Sequence, residues 1–137
     1  MSAVTASLCS TLLFVGLFVF VSADQKNITA KSGQNVTLTC RAPNNNIIII
    51  EWKKADLKEE VYVLLYRDGH FDPHHQHPYF KNRVDLQDKK MKDGDVSLIL
   101  KYVTINDTGT YECNVQKDGD SLKLINIITL SVDPPGE

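Results

Sequence analysis

Apolar and polar residues alternate with a period of two through most of this sequence, which favours β-strands. In the segment VTLTC, residues 36–40, the apolar side chains fall on one side of an extended chain and the threonines on the other. Segments rich in β-branched and aromatic residues predict further strands at 47–52, 61–66, 83–86, 96–100, 110–115 and 122–132. No long window shows a helical apolar stripe, although residues 53–60 could form one polar turn. The chain is therefore predicted to be an antiparallel all-β sandwich or small barrel.

The first 23 residues resemble a targeting segment. Leu8–Val21 is almost wholly apolar and leads to VSA, a small-residue ending that signal peptidase accepts. The apolar run is shorter than the roughly 20 residues needed to span a bilayer. Residues 1–23 are thus predicted to be a signal peptide cleaved after Ala23, the alternative being a buried N-terminal helix.

The remainder of the chain suits one domain. Residues 24–133 have the length of a common single domain, and the Pro-rich residues 134–137 are predicted to begin a stalk or tail. The net charge is −2 and no basic patch occurs, so nucleic acid is not an expected partner. Turn residues separate the strands, and Asp118-Gly119 predicts a tight hairpin.

The cysteines and the glycosylation sequons indicate the secretory pathway. Cys9 lies inside the predicted signal peptide, which leaves Cys40 and Cys113 as an even pair in an oxidising compartment. Sequons of the form N-x-S/T occur at Asn27, Asn35 and Asn106. The mature chain is therefore expected outside the cell, either secreted or at the cell surface.

The segment DTGTYEC, residues 107–113, has two incompatible interpretations. Asp-Thr-Gly is the catalytic loop of aspartic proteases, in which two carboxylates share a proton, so a homodimer could supply two copies of Asp107. A protease loop follows an apolar strand, whereas here TIN precedes Asp107 and a strand follows it. The protease is therefore the minor alternative.

The spacing of several residues resembles the immunoglobulin superfamily over almost all of residues 24–137. Cys40, Trp52 and the pattern Asp107-x-Gly109-x-Tyr111-x-Cys113 stand in the order found in such domains. The segments YRDG, FKNRVDL and DGDVSLILKYVTINDTGTYEC resemble the variable-type domains of the butyrophilin and myelin-oligodendrocyte-glycoprotein group.

The resemblance implies a variable-type β-sandwich of two antiparallel sheets joined by a Cys40–Cys113 disulfide. It also implies that Trp52 packs on the disulfide, that the Tyr111 hydroxyl bonds to backbone and that Arg83 pairs with Asp107. Asp107 is then a corner residue, and neither an enzymatic activity nor a cofactor is expected.

All of the histidines lie in one segment, residues 67–83, at His70, His74, His75 and His77. Imidazoles can bind zinc, but a good site needs three or four ligands held on rigid elements. Pro73 and Pro78 interrupt regular structure here, so we expect a solvated loop and no metal site. A soluble metal-binding protein and a pH sensor are the alternatives for this segment.

Function is predicted to lie on the sheet formed by residues 47–52, 61–66, 110–115 and 122–132, which correspond to strands C, C′, F and G of similar variable-type domains, whose partners usually dock on that sheet. Its outward residues are predicted to be Glu51, Lys53, Tyr62, Tyr66, Asn114, Gln116 and Ile125, unless a bulge turns Ile125 into the core. Asn27 and Asn35 are expected in the opposite sheet and Asn106 at the lower corner, so glycans would leave this face bare. The expected role is cell adhesion or immune-cell modulation. The expected partner is a protein on another cell or a second copy of the chain, and membrane attachment would need a segment beyond Glu137.

Overall fold

The structure is a computed structural model that describes residues 24–43, 46–55 and 59–136. The strands in these residues are β1 (Asp24–Lys31), β2 (Val36–Leu38), β3 (Ile47–Ala55), β4 (Glu60–Arg67), β5 (His70–Phe71), β6 (Val84–Leu86), β7 (Leu98–Leu100), β8 (Gly109–Lys117) and β9 (Lys123–Asp133). Single 3-10 turns occur at Pro78–Phe80, Lys92–Gly94 and Ile105–Asp107. The predicted signal peptide and residues 56–58 of the predicted polar turn lie outside the described residues.

The strands form two sheets. The larger sheet has the order β1-β9-β8-β3-β4-β5, and the smaller has the order β2-β7-β6. Every pairing between neighbouring strands is antiparallel except that of β1 with β9, which is parallel. The predicted all-β sandwich is confirmed, and the loop at Asp118-Gly119 joins β8 to β9.

The core lies between the sheets because alternate residues of the long strands point inward. In β8 the buried residues are Tyr111, Cys113 and Val115, and the residues between them are only partly buried. Cys113 forms a disulfide with Cys40. Trp52 is fully buried, and its indole nitrogen donates a hydrogen bond to the Val96 carbonyl at 2.9 Å. The polar atom of the largest core side chain is therefore satisfied.

The two sheets are joined at one end by hydrogen bonds between the start of β6 and the turn before β8, which we call the lower corner. The Asp107 carboxylate is fully buried and accepts hydrogen bonds from Arg83 at 2.7 and 3.2 Å and from the Thr104 backbone at 2.9 Å. The Tyr111 hydroxyl donates to the Asp107 carbonyl at 2.6 Å. Gly109 then opens β8 with a φ of 156°. Asp107 is thus fixed by partners from both sides of the corner.

Bulges interrupt the register of three long strands. Each bulge leaves one residue without a directly opposite partner. That residue is Ile48 in the pairing of β3 with β8, Val63 in the pairing of β4 with β3, and Ile125 in the pairing of β9 with β8. One extra residue in a strand reverses the side on which the following residues point. The bulges therefore decide which side chains of the larger sheet face away from the core.

Candidate recognition face

The outer face is the side of the larger sheet turned away from Trp52 and the disulfide. Glu51 and Lys53 of β3 lie on it, since they alternate with buried Ile50 and Trp52. Asn114 and Gln116 of β8 lie on it for the same reason. Tyr62 of β4 is directly opposite Lys53 and shares its side. The structure therefore brings five of the predicted partner-binding residues together on one surface.

Lys53 is the centre of the charges on the outer face. Its ammonium lies 3.5 Å from a carboxylate oxygen of Glu51 and 3.5 Å from one of Glu60, and 5.5 Å from the ring centroid of Tyr62. Burial by itself would lower the pKa of Lys53, but the two carboxylates outweigh it and raise the pKa above its ordinary value. Lys53 is therefore charged at neutral pH and is held by acidic neighbours.

A third carboxylate, that of Glu112, adjoins this cluster from β8. Glu112 is directly opposite Lys53 in the register of β3 and β8. Burial raises the pKa of Glu112, and the negative charge of Glu60 and a side-chain hydrogen bond with Glu60 raise it further, whereas the charge of Lys53 opposes the rise. Glu51 and Glu60 thus contact the ammonium group of Lys53, and Glu112 lies beside them.

Aliphatic side chains border the charged centre on the side of β9. Leu124 is 39% exposed and is paired with Asn114. Ile127 is half-buried and directly opposite Glu112. The outer face therefore combines partly exposed aliphatic surface with partly buried charges.

Ile125 and Tyr66 do not lie on the outer face where they were predicted. The bulge in β9 falls at Ile125, whose side chain packs against the core while its neighbour Leu124 points outward. Tyr66 is directly opposite buried Ile50 and also packs against the core. Strict alternation along each strand cannot reveal either position, because the bulges depend on the pairing between strands.

Asn27 lies in the larger sheet rather than in the opposite sheet, so its expected placement was wrong. The cause is the parallel pairing of β1 with β9, which sets Asn27 beside Thr129. Asn27 is exposed, while Ile28 packs against the core and Ala30 is buried. A glycan on Asn27 would therefore stand at the β1 edge of the outer face, and that edge would not be bare.

The other sequons lie away from the outer face. Asn35 immediately precedes β2 in the smaller sheet, and its side-chain oxygen accepts a hydrogen bond from the Tyr102 backbone at 3.0 Å. Asn106 is exposed in the turn Ile105–Asp107 at the lower corner. Glycans at these two positions would leave the centre of the outer face accessible.

The histidine-containing segment runs along the edge of β4 that faces away from β3, where the pairing of β4 with β5 and the backbone hydrogen bonds from Asp72 to Leu65 and from His77 to Tyr62 hold it. The Asp72 carboxylate pairs with Arg67 at 3.0 Å and with His75 at 2.9 Å. Burial would raise the pKa of Asp72, but hydrogen bonds from His75, the His74 backbone and Arg67 lower it overall. All the histidines of the segment are exposed, and the described residues contain no group of three or more His, Cys, Asp or Glu placed to hold a metal ion.

The geometry of Asp107 does not suit acid–base catalysis. An aspartic protease has two carboxylates that face each other in a cleft and share a proton. The Asp107 side chain has no exposed surface, and its two oxygens accept hydrogen bonds from Arg83 and Thr104. Asp107 therefore serves the corner of the fold and not a substrate site.

Known proteins share this domain. The model of the immunoglobulin V-set domain matches residues 23–133. The zebrafish (Danio rerio) coxsackievirus and adenovirus receptor homolog is 29% identical to the chain, and the alignment covers 95% of this chain and 38% of that protein. Human butyrophilin subfamily 1 member A1 is 30% identical, with 78% of this chain and 21% of that protein covered. The mouse V-set domain containing T-cell activation inhibitor 1 is 32% identical, with 75% of this chain and 35% of that protein covered. The chain thus spans well under half the length of these relatives.

Solved structures agree with the fold. A chain from the crystal structure of ICOS in complex with ICOS-L and an anti-ICOS-L VNAR domain superposes with a TM-score of 0.69 at 24% identity, covering 81% of this chain and 56% of that chain. The crystal structure of bovine butyrophilin superposes with a TM-score of 0.67 at 24% identity, covering 81% of this chain and 52% of that chain. The predicted variable-type architecture and the resemblance to butyrophilins are confirmed.

Within residues 24–43, 46–55 and 59–136, no helix has the length and hydropathy to cross a membrane. The V-set match extends over most of the sequence, and the sheet order, the disulfide and the superpositions agree with it. The chain belongs to the immunoglobulin V-set family.

Proposed function

We propose that this chain is a non-enzymatic recognition module outside the cell, acting in cell adhesion or immune-cell modulation. Its relatives include a virus receptor homolog, a butyrophilin and an inhibitor of T-cell activation, which supports a role in recognition. The chain reaches the secretory pathway through residues 1–23 and carries N-glycans at its sequons. Its partner is a protein that docks on the outer face.

The observation that carries this proposal is the aliphatic surface beside the charge cluster. Leu124 is 39% exposed at one side of the outer face, and Ile127 continues the aliphatic surface toward Glu112. Interfaces combine such aliphatic or aromatic anchors with charged and polar groups that fix the orientation of the partner. Glu51, Lys53 and Tyr62 supply these groups on the neighbouring strands.

The test is staining of a panel of cells by fluorescent tetramers of the glycosylated mature chain. Leu124→Arg places a bulky charge on the aliphatic surface, and Lys53→Glu reverses the central charge. Each variant should lose most of the staining given by the wild type. Gln87→Arg is the matched control, because Gln87 is exposed directly after β6 in the smaller sheet. Unchanged staining by Leu124→Arg and Lys53→Glu would refute the docking face.

A further inference from the structure

Among the residues that the structure describes, the centre of the outer face has more carboxylates than cationic groups, and this imbalance affects which partner can dock there. One row of directly opposite residues crosses the strands β9, β8, β3 and β4, in the order Ile127, Glu112, Lys53 and Tyr62. Glu51 and Glu60 reach the same ammonium group of Lys53 from β3 and β4. Two carboxylates therefore contact this cation and Glu112 lies beside them; the Glu51 side chain is 15% exposed, whereas that of Glu60 is 50% exposed.

Lys53 does not satisfy these carboxylates fully. The Oε1 atom of Glu51 is buried and accepts no hydrogen bond from the described residues, although Lys53 lies 3.5 Å away. The contact of Lys53 with Glu60 is also 3.5 Å, which is long for a charge-assisted hydrogen bond. A buried acceptor without a donor is energetically unfavourable, so a further donor at this place would be stabilised.

The neighbouring aliphatic surface limits the kind of donor that fits. Ile127 is opposite Glu112, and Leu124 lies beyond the β9 bulge on the same side. Lysine and arginine carry an apolar stem that packs on such surface and a cationic head that reaches carboxylates. A guanidinium or ammonium head has several N–H donors and can serve more than one carboxylate.

We propose that the partner of this module is a protein that places a lysine or arginine side chain among Glu51, Glu60 and Glu112, with its stem against Ile127 and Leu124. This inference rests on the proposed docking face and specifies its partner. Two copies of the chain docked centre to centre would bring two acidic clusters together, which is unfavourable. The charge pattern thus assigns the outer face to a different, basic partner.

The first experiment probes the cation site without the partner. The ¹⁵N-labelled mature chain is titrated with n-butylguanidinium chloride, which mimics an arginine side chain, and in parallel with sodium chloride at equal ionic strength. Amide shifts specific to the guanidinium should centre on Glu51, Glu60 and Glu112 and disappear in the Glu60→Gln/Glu112→Gln double variant. Shifts that are identical for both salts overturn the inference.

The second experiment repeats the cell staining with isosteric variants. Glu112→Gln should weaken tetramer binding by about tenfold, which corresponds to the loss of one interfacial charge pair. Asp85→Asn is the matched control, because Asp85 belongs to β6 in the smaller sheet. If Leu124→Arg abolishes staining while Glu60→Gln/Glu112→Gln retains it, the face is right and the basic partner is wrong. If Leu124→Arg also retains staining, the proposed function itself fails.

Discussion

Replacement of Arg83 by methionine is expected to destabilise the fold by about 3–5 kcal/mol, because it leaves a buried carboxylate without its cation. Asp107 has no exposed surface, and the Arg83 side chain is only 19% exposed. Two hydrogen bonds of 2.7 and 3.2 Å join the guanidinium to the carboxylate. A surface ion pair would contribute roughly 0–1 kcal/mol, so the burial of this pair decides the magnitude.

Other contacts of Arg83 refine the expected loss. The guanidinium also donates to the Lys101 carbonyl at 3.0 Å and lies 4.9 Å from the ring centroid of Tyr79. Methionine keeps much of the apolar stem but supplies none of these hydrogen bonds. The Thr104 backbone still donates to Asp107 in the variant, which places the expected loss near the lower end, about 3 kcal/mol.

Urea denaturation followed by the fluorescence of the buried Trp52 measures this effect. The melting temperature should fall by more than about 10 °C for a domain of this size. Asp107→Asn, and the double variant with Arg83→Met, complete a double-mutant cycle. The double variant should lose about 2 kcal/mol less than the sum of the two single variants, because it has no unpaired buried charge. A cost for Arg83→Met below about 1 kcal/mol, or strict additivity in the cycle, would refute the role assigned to burial.

Three further predictions concern the core and the outer face. The Cys40→Ala/Cys113→Ala double variant should lose about 4 kcal/mol in urea denaturation, since the disulfide closes a loop of 73 residues; an unchanged urea midpoint would contradict this. Tyr111→Phe should cost about 1–2 kcal/mol in the same assay, because the Asp107 carbonyl loses its 2.6 Å hydrogen bond, and a neutral effect would count against the corner. Burial and the charge of Glu60 raise the pKa of Glu112 above the ordinary 4.5. The protonated form of Glu112 is therefore favoured in the folded state, and its contribution to the free energy of unfolding is present below pH 4.5 and is lost as the pH rises through the folded-state pKa. Glu112→Gln should therefore stabilise the domain at pH 7, by only a few tenths of a kcal/mol because solvent screens the site. Thermal melts at pH 4 and pH 7 test this, and a destabilised variant at pH 7 would contradict it.

The sequence was sufficient to predict which residues of β3 and β8 face outward. In these strands, polar residues alternate with Ile50, Trp52, Cys113 and Val115, all of which are buried. Binding by the outward residues stays a prediction. The start of β7 could not be predicted from the sequence. A strand was expected over residues 96–100, but β7 begins at Leu98, since the Ser97 backbone N–H donates to the Asp95 side chain instead of continuing a sheet ladder. Such local side-chain bonds compete with strand pairing and are not visible in a pattern of hydrophobicity.

Long-range pairing accounts for the positions that the sequence did not predict. Ile125 turns inward because Asn114 pairs with Leu124 while Cys113 pairs with Asn126, a shift set by two strands together. Asn27 lies on the larger sheet because β1 joins β9. The residues of β1 alone do not specify which of the two sheets they join. Their placement depends on contacts about 100 residues away along the chain.

The position of β9 between β1 and β8 has a mechanical consequence. A pull applied at Asp133, the last residue of β9, acts along the strand, where hydrogen bonds to both neighbours resist it in shear. Because the β8–β9 hydrogen bonds lie perpendicular to the strands, they share a load applied along β9. A force applied between β8 and Asp133 would therefore pass through the hydrogen bonds that join β8 to β9.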